Sequence, residues 1–293
     1  MVIYRLLFIC FLFYCFPCQA LIAGEKDNDS PERRIDSNSC HSSWAGVVSI
    51  QINSAVYSGV IIGKSWVLTA AHVVESSLKA PENVHIYVPC QNIKLHVSKI
   101  IINHEYHRNS MQGIALFDVA LLRLTSPLPN TIIRYPVNFQ AISEGVIASF
   151  VGYGATGNAC DSHLQPASTS IKHWGQNALD TVLVDERNIQ QAYIYDFDGP
   201  NKSSNYLGGL TLGNQTETEV APGDSGSPIF IKNTNNQWVV TGINTFRMSF
   251  PSEELNRAPP PPCFGSGGGG ILLESVASWL LYLVPDLQVD QST

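Results

Sequence analysis

Short runs of β-branched and aromatic residues, separated by turn-forming residues, constrain the fold of this chain most strongly. Runs of this length are typical of β-strands, and their succession favours a barrel or a sandwich over alternating βα units. The sequence therefore predicts a mostly β protein. The predicted strands cover residues 47–52, 57–62, 65–69, 84–88, 95–102, 119–124, 147–153, 181–185, 192–197, 228–232 and 238–244.

Three other segments break this pattern. Residues 273–283 carry apolar side chains at helical spacing and predict an amphipathic C-terminal helix. Residues 125–138 contain three prolines and predict a connection between two halves of the chain. Residues 253–270 contain four consecutive prolines and four consecutive glycines, which predicts a loosely packed loop.

The composition is that of a globular protein without a nucleic-acid partner. The 293 residues, 44% of them hydrophobic, are enough for one large β domain or two smaller ones. Only 17 residues are Lys or Arg, and the formal net charge is −7. Because nucleic-acid binding requires a basic surface, we expect no such partner.

The first 20 residues have the pattern of a secretory signal peptide. Arg5 precedes an apolar run of 11 residues, and Ala20 supplies the small residue that signal peptidase prefers. A membrane span needs roughly 20 apolar residues, and Pro17 ends this run too early. We therefore predict a secreted protein, extracellular or periplasmic, that is monomeric and has no stable membrane anchor after signal removal.

Removal of the signal peptide would leave four cysteines, which are Cys40, Cys90, Cys160 and Cys263. In an oxidising compartment they predict two disulfides, for which three pairings exist. The chain contains no Cys-x-x-Cys pair, which gives a zinc or redox site little support. We predict no metal and no cofactor.

Three motifs carry candidate catalytic residues. His72 ends Thr-Ala-Ala-His, Asp118 begins Asp-Val-Ala-Leu-Leu, and Ser225 lies in Gly-Asp-Ser-Gly-Ser-Pro. Each motif alone has an ordinary explanation, since isolated histidines are usually structural and Gly, Asp, Ser and Pro are common in turns. Their order excludes an α/β-hydrolase, in which the serine comes first and lies in Gly-x-Ser-x-Gly.

In this order the motifs resemble those of the trypsin/chymotrypsin-like serine proteases, from about Trp44 to Trp279. His72 and Asp118 are 46 residues apart, close to the family's usual spacing, whereas the 107 residues from Asp118 to Ser225 imply inserted loops. The resemblance implies an all-β fold of two six-stranded antiparallel β-barrels, with the active site between them and a C-terminal helix. The implied organisation is a signal peptide over residues 1–20, barrels over 21–135 and 136–274, and the helix and tail over 275–293.

The resemblance also implies a role for each motif residue. His72 would be the general base, Asp118 would orient it, and Ser225 would be the nucleophile. The backbone amides of Gly223 and Ser225 would form the oxyanion hole. The implied function is a secreted serine endopeptidase acting on proteins or peptides. The alternatives are a catalytically idle relative that serves as a binding or adhesion protein, and an esterase without proteolytic activity.

The resemblance places four residues at the primary substrate pocket. Glu219 would lie at its base, where an acid favours Arg or Lys in the substrate. Thr245, Phe246 and Arg247 would line its wall. Arg247 replaces a glycine usual in the family, and it could neutralise Glu219 or narrow the pocket.

Two disulfides that are usual in the family are missing. The matching positions are Tyr57 and Val73 for one of them, and Ala221 stands at a cysteine position of the other. The resemblance instead implies that Cys40 pairs with Cys90 and that Cys160 pairs with Cys263.

In the family, a free N-terminal amine pairs with the aspartate before the nucleophile, here Asp224. Leu21-Ile22-Ala23-Gly24 resembles the family's N-terminus and would be exposed directly by signal removal. The alternative is cleavage after Arg33-Arg34, which would expose Ile35. The glycine at the fourth position favours Leu21.

Three other motifs give weaker indications. His104-Glu105-Tyr106-His107 is one residue short of the zinc-binding His-Glu-x-x-His and predicts a loop. Residues 196–199, Asp-Phe-Asp-Gly, predict a turn in preference to a calcium site. The glycosylation sequons at Asn28, Asn201 and Asn214 matter only if the host glycosylates secreted proteins.

Overall fold

The computed structural model describes residues 21–26, 29–107, 109–111, 113–200, 202–213, 215–250 and 262–292. The predicted signal peptide and the three sequon asparagines lie outside the described residues. Among the described residues, no helix is both long enough and apolar enough to cross a bilayer.

The described residues form seventeen strands and two α-helices. The strands are β1 (Leu21–Ala23), β2 (Val47–Ile52), β3 (Ala55–Gly63), β4 (Trp66–Thr69), β5 (Val84–Val88), β6 (Ile93–Ile102), β7 (Ser110–Met111), β8 (Ile114–Ala115), β9 (Ala120–Leu124), β10 (Val146–Gly152), β11 (Thr156–Asn158), β12 (His173–Leu179), β13 (Thr181–Val184), β14 (Gln190–Asp196), β15 (Pro228–Lys232), β16 (Trp238–Ser249) and β17 (Ser266–Leu272). The helices are α1 (Ala71–Val74) and α2 (Ala277–Leu283), and 3₁₀ turns lie at 31–34, 75–77, 81–83, 89–91, 202–204 and 273–276.

The first half of the chain forms a closed six-stranded barrel in the order β2-β3-β4-β9-β6-β5. Its strands are antiparallel. Alternating residues point inward, as in β5, where Val84, Ile86 and Val88 are buried and the two residues between them are partly exposed. Closure leaves this barrel without a free strand edge.

The second half forms a seven-stranded sheet in the order β12-β10-β15-β16-β17-β14-β13. β12 and β13 lie at its two edges although only Asp180 separates them in the chain. The sheet therefore curls until its edges are joined through one residue. The predicted all-β class with a C-terminal helix is confirmed, and this break at Asp180 explains why the second sheet has seven strands where six were expected.

The glycine run Gly267–Gly270 lies in the interior of β17, so the predicted loop over 253–270 is wrong for these residues. β17 is paired on both sides, with β14 and with β16. A Cβ atom at Gly267 would lie 2.1 Å from the carbonyl oxygen of Tyr195, and one at Gly270 would lie 1.8 Å from that of Ile243. The glycines are therefore a packing requirement, because no larger residue fits between the neighbouring strands. Residues 251–261 lie outside the described residues.

Two disulfides join distant segments of the chain. Cys40–Cys90 joins the segment before β2 to the turn after β5, and Cys160–Cys263 joins the segment after β11 to the one before β17. This is the pairing that the resemblance implied.

Candidate active site

The His72 side chain is oriented by Asp118 through two paired strands. β4 leads into α1, which contains His72, and Asp118 lies two residues before β9, which pairs with β4. His72 Nδ1 lies 2.7 Å from Asp118 Oδ2, and the backbone N–H of His72 donates to Asp118 Oδ1 at 2.9 Å. Both carboxylate oxygens of Asp118 therefore interact with the same residue, His72. This contact holds the proton on Nδ1, which leaves Nε2 available as a base.

Asp118 is buried, whereas 31% of the His72 side chain is exposed. An ionised carboxylate can be buried only when donors replace its water, and His72 supplies two of them. The arrangement keeps the acid away from solvent and leaves one edge of the imidazole accessible to a substrate.

The loop before Ser225 has a backbone that only glycine accommodates. Gly223 has φ +101°. A Cβ atom there would lie 2.8 Å from Gly154 Cα and 2.9 Å from the carbonyl oxygen of Val56. Any other residue would be strained and would also collide with its neighbours.

The residues on either side of Asp224 in the chain have backbone amides without an acceptor among the described residues. The amides of Asp224 and Gly226 donate to the carbonyls of Ala221 and Asn244 at 2.9 and 2.8 Å. In contrast, the amides of Gly223 and Ser225 donate to no acceptor within the described part of the chain. The loop thus presents two unused donors next to the Ser225 hydroxyl, as an oxyanion site requires.

Contacts between the two sheets bring this loop against the strands that position His72. A Cβ atom at Gly226 would lie 2.0 Å from Thr69 Oγ1 and 2.8 Å from the amide nitrogen of Ala70, so the two backbones are in direct contact. Ser58, in β3, donates from its amide to the Ser225 carbonyl at 3.2 Å and from Oγ to the Gly223 carbonyl at 3.0 Å. Ser58 could not be identified from the sequence, because a serine inside a predicted strand carries no signal of its partners.

A cavity of about 180 Å³ lies beside Ser225. It is lined by Val220, Ala221, Pro222, Ser225, Asn244, Thr245, Phe246 and Arg247. The three wall residues expected from the sequence thus share a cavity with Ser225. The Arg247 side chain is exposed and forms no ion pair with any described residue. Asp118 lines a second cavity, of about 290 Å³, together with Thr245, Phe246 and Arg247.

Glu219 is completely buried and is not among the residues that line the cavity beside Ser225. Its Oε2 accepts a hydrogen bond from Ser266 Oγ at 2.8 Å, and its Oε1 accepts none from the described residues. Burial raises the pKa of this carboxyl well above its usual range, and Ser266 and Arg247 oppose the shift. The sequence could not show that this acid is so deeply buried.

The segment that begins at Leu21 forms a separate two-stranded parallel sheet with β11. Leu21 and Ile22 are fully buried, and β1 pairs with β11. The Ile22 amide donates to the Glu219 carbonyl at 3.0 Å. Burial raises the pKa of Asp224 to about 7, while the amides of Ala221, Gly154 and Leu21 and the charge of Arg247 lower it. The Leu21 backbone nitrogen is therefore close enough to act on the Asp224 carboxyl.

The alternative cleavage site after Arg34 is covered. The Arg34 guanidinium is buried, contacts the Asp29 carboxylate and donates to the carbonyls of Thr216 and Glu217 at 3.2 and 2.9 Å. Ile35 follows it at the surface and forms an isolated bridge with His173. A protease would have to extract Arg34 from these contacts before cutting.

Several further acids lie buried or half-buried near residues 196–199. Burial raises the pKa of Glu217 to about 8, of Asp180 to about 7 and of Asp198 to about 6. No group of three or more His, Cys, Asp or Glu residues in the described ranges has a geometry suited to a metal ion. His104 and His107 lie in a turn, where they pair with Glu105 and Glu75 at 3.1 and 2.8 Å.

These buried acids predict a protein that loses stability as the pH rises. The folded state retains their protons above the ordinary carboxyl pKa, so their contribution is complete below about pH 4.5 and is lost through about pH 8. We expect the decrease in Tm between pH 5 and pH 8 to be smaller in Glu217→Gln than in the wild type. Thermal unfolding at the two pH values measures the decrease in Tm, and Glu186→Gln, at an exposed position, is the control. An equal decrease in wild type and Glu217→Gln would contradict the prediction.

Comparison with known proteins agrees with this geometry. A family model described as Trypsin matches residues 36–258. Chymotrypsin-like elastase family member 1 of Rattus norvegicus is 26% identical over 246 residues, which are 77% of this chain and 84% of that protein. The Bos taurus protein of the same name is 24% identical over 220 residues, 70% of this chain and 74% of the relative. Ovochymase of Halocynthia roretzi is 26% identical over 219 residues, which span 70% of this chain but only 13% of that protein. The chain therefore belongs to the family of trypsin/chymotrypsin-like serine proteases.

Proposed function

We propose that this protein is a secreted serine endopeptidase that hydrolyses peptide bonds through His72, Asp118 and Ser225. The observation that carries the proposal is the contact of 2.7 Å between His72 Nδ1 and Asp118 Oδ2, next to a serine loop with two unused amides. The two disulfides fit an oxidising compartment, which supports export.

The chemistry follows from these positions. Ser225 Oγ attacks the carbonyl carbon of the scissile bond while its proton moves to His72 Nε2. The negative oxygen that forms binds the amides of Gly223 and Ser225, each worth about 2.7–4 kcal/mol in such sites. His72 then donates the proton to the leaving amine as the C–N bond breaks. Water hydrolyses the acyl-enzyme by the same route, with Asp118 continuing to orient the imidazole.

Activation by a free amine at Leu21 forms part of the proposal. Removal of residues 1–20 would turn the Leu21 amide into an ammonium group beside the buried Asp224 carboxyl. An ion pair there would lower the carboxyl pKa from about 7 and fix the loop that carries Gly223 and Ser225. The buried side chains of Leu21 and Ile22 support this start over Ile35.

A binding or adhesion protein without activity remains the alternative, and the presence of both the His72–Asp118 contact and the free amides favours the enzyme. The test is the intact mass of the secreted protein before and after incubation with a fluorophosphonate, for the wild type and for Ser225→Ala. We expect a chain that starts at Leu21 and gains one adduct, which the variant does not. Absence of an adduct on a chain that starts at Leu21 would favour the binding protein. Cleavage of ester substrates without cleavage of proteins would identify an esterase.

The finer part of the proposal is a preference for Arg or Lys before the scissile bond. Glu219 supports it although it does not line the cavity beside Ser225, because its buried Oε1 has no hydrogen-bond partner among the described residues, and a cationic side chain that reached it would supply a donor. The Arg247 guanidinium beside the cavity opposes it, since two like charges repel each other.

We therefore expect opposite effects from two substitutions. Glu219→Gln removes a charge-assisted hydrogen bond and should lower kcat/KM for Lys and Arg substrates by about 10- to 100-fold. Arg247→Ala removes a like charge and should raise it by about threefold to tenfold. A panel of peptides that differ only before the scissile bond measures both effects. Cleavage after Asp or Glu that Arg247→Ala abolishes would assign the specificity to Arg247 and overturn the preference.

A further inference from the structure

A concave, positively charged pocket lies at the end of the first barrel opposite the catalytic residues. Its volume is about 480 Å³. We call it the basic pocket, and its lining residues are Lys64, Ser65, Trp66, Lys99, Ile101, Arg123, Tyr282, Leu283, Pro285 and Asp286. Three cations meet here in a chain that has only 17 Lys and Arg and a net charge of −7.

Strand register places two of these cations directly opposite each other. Lys99 of β6 is the cross-strand partner of Arg123 of β9, which puts both side chains on the same face of the barrel. Like charges at such positions, about 5 Å apart at Cβ, destabilise a sheet. Arg123 is also the partner of Trp66, and its guanidinium lies 5.8 Å from the centre of the Trp66 ring. This contact holds the arginine against the pocket wall but does not neutralise it.

Acids of the described chain do not compensate these cations. The side chains of Lys64, Lys99 and Arg123 form no ion pair or hydrogen bond with any described residue. The one acid of the pocket, Asp286, already accepts a hydrogen bond from the Lys64 backbone amide at 2.7 Å and lies 4.0 Å from Arg134. The positive charge of the basic pocket is therefore not neutralised by acids of the described residues.

The remaining wall is apolar and open. Tyr282 is 86% exposed, and Leu283 and Pro285 continue the same wall. A ligand that fills the basic pocket must bring both negative groups and apolar atoms. A peptide with acidic side chains around an aromatic or aliphatic residue has this composition. A sulfated polysaccharide offers little apolar surface, and a flat bilayer cannot enter a concave pocket.

We propose that the basic pocket binds an acidic peptide segment of a protein, with its carboxylates on Lys64, Lys99 and Arg123 and an apolar side chain against Tyr282. Asp118 lies two residues before the start of β9, and Arg123 lies near its end, about 10 Å along the strand from Ala120, so the pocket is separate from the catalytic site. If the proposed endopeptidase activity is correct, a protein substrate bound at both places would have a lower KM.

Fluorescence anisotropy of a labelled peptide, Asp-Glu-Phe-Glu-Asp, with the full-length mature Ser225→Ala protein tests the proposal without any need for catalysis. We expect binding that weakens as salt rises, and no binding of the Asn-Gln-Phe-Gln-Asn counterpart. Lys99→Gln combined with Arg123→Gln should lower the affinity at least tenfold. Lys94→Gln is the matched control, because it removes a lysine of β6 that lies outside the basic pocket and should leave affinity unchanged.

Three results would overturn the proposal. They are no binding of the acidic peptide, binding that the double variant leaves unchanged, and binding of heparin with no binding of the peptide, which would identify a polysaccharide site. Stability gives a second measurement. Lys99→Gln should raise Tm because it relieves the repulsion from Arg123, whereas Lys94→Gln should not.

Discussion

Replacing Ser225 by alanine will lower kcat by about a millionfold, the loss known for nucleophiles of such triads. Alanine removes the only atom that can bond to the substrate carbonyl and leaves the binding surface in place. The amides of Gly223 and Ser225, the proposed oxyanion donors, would still polarise the substrate, so a residual rate of about 10³–10⁴ over the uncatalysed reaction should remain. Steady-state kinetics on a peptide substrate measures the change.

The effects of the catalytic residues will not add. His72→Ala alone should be about as damaging as Ser225→Ala, and the double variant should be hardly worse than either, because each acts only through the other. Ser162→Ala is the control and should be fully active, because Ser162 is exposed and its Oγ hydrogen-bonds to no described residue except His163. A Ser225→Ala protein that retains wild-type turnover would refute the assignment of the nucleophile.

A chain that keeps even one residue before Leu21 will be about 10²–10³-fold less active, the effect of losing one oxyanion donor. With the amine blocked, Asp224 has no cationic partner at Leu21, and burial holds its pKa at about 7. The loop is then left without the ion pair that fixes its amides. Kinetics of chains beginning at Ala20 and at Leu21, with the N-terminus verified by mass, measures the difference.

The proposed ion pair between the Leu21 amine and Asp224 also predicts how activity depends on pH. In the proposed activation the active form requires the protonated Leu21 amine, so activity should fall as the pH rises through the amine pKa, which is ordinarily about 7.7–8.0 and would be raised by the ion pair. Asp224→Asn should reproduce the loss at every pH, even in a chain that starts at Leu21. Equal activity of the chains that begin at Ala20 and at Leu21 would show that the Leu21 amine has no role in activity.

The sequence predicted those elements whose cause is local. β-branched runs predicted β2 to β5 because side-chain pattern and strand pairing agree there. β12 was missed because Gly175 and the polar His173, Gln176 and Asn177 interrupt its apolar pattern. Asn177 is buried only because distant partners accept its hydrogen bonds, the carbonyls of Asp196 and Thr218. No pattern within a single strand reveals such partners.

The residues of the candidate site also fall into two groups, those with a local sequence motif and those without one. The motifs around His72, Asp118 and Ser225 each lie within a few residues and can be identified from the sequence. The contacts of Ser58 join β3 to the loop that carries Gly223 and Ser225, and the hydrogen bond to the buried Glu219 comes from Ser266, which is 47 residues away. These features are products of the tertiary fold.

The glycine strand β17 limits how the specificity of this enzyme can evolve. Arg247 and Phe246 pair with Gly268 and Gly269, so the strand beside them offers backbone and no side chain. A methyl group at any of the four glycines would overlap neighbouring atoms. Mutation therefore cannot easily place a substrate-contacting side chain at these positions. Natural variation and protein engineering are left with few adjustable sites, chiefly Arg247 and the residues just before Ser225. Libraries aimed at those sites should yield folded variants, whereas libraries aimed at β17 should yield mostly misfolded ones.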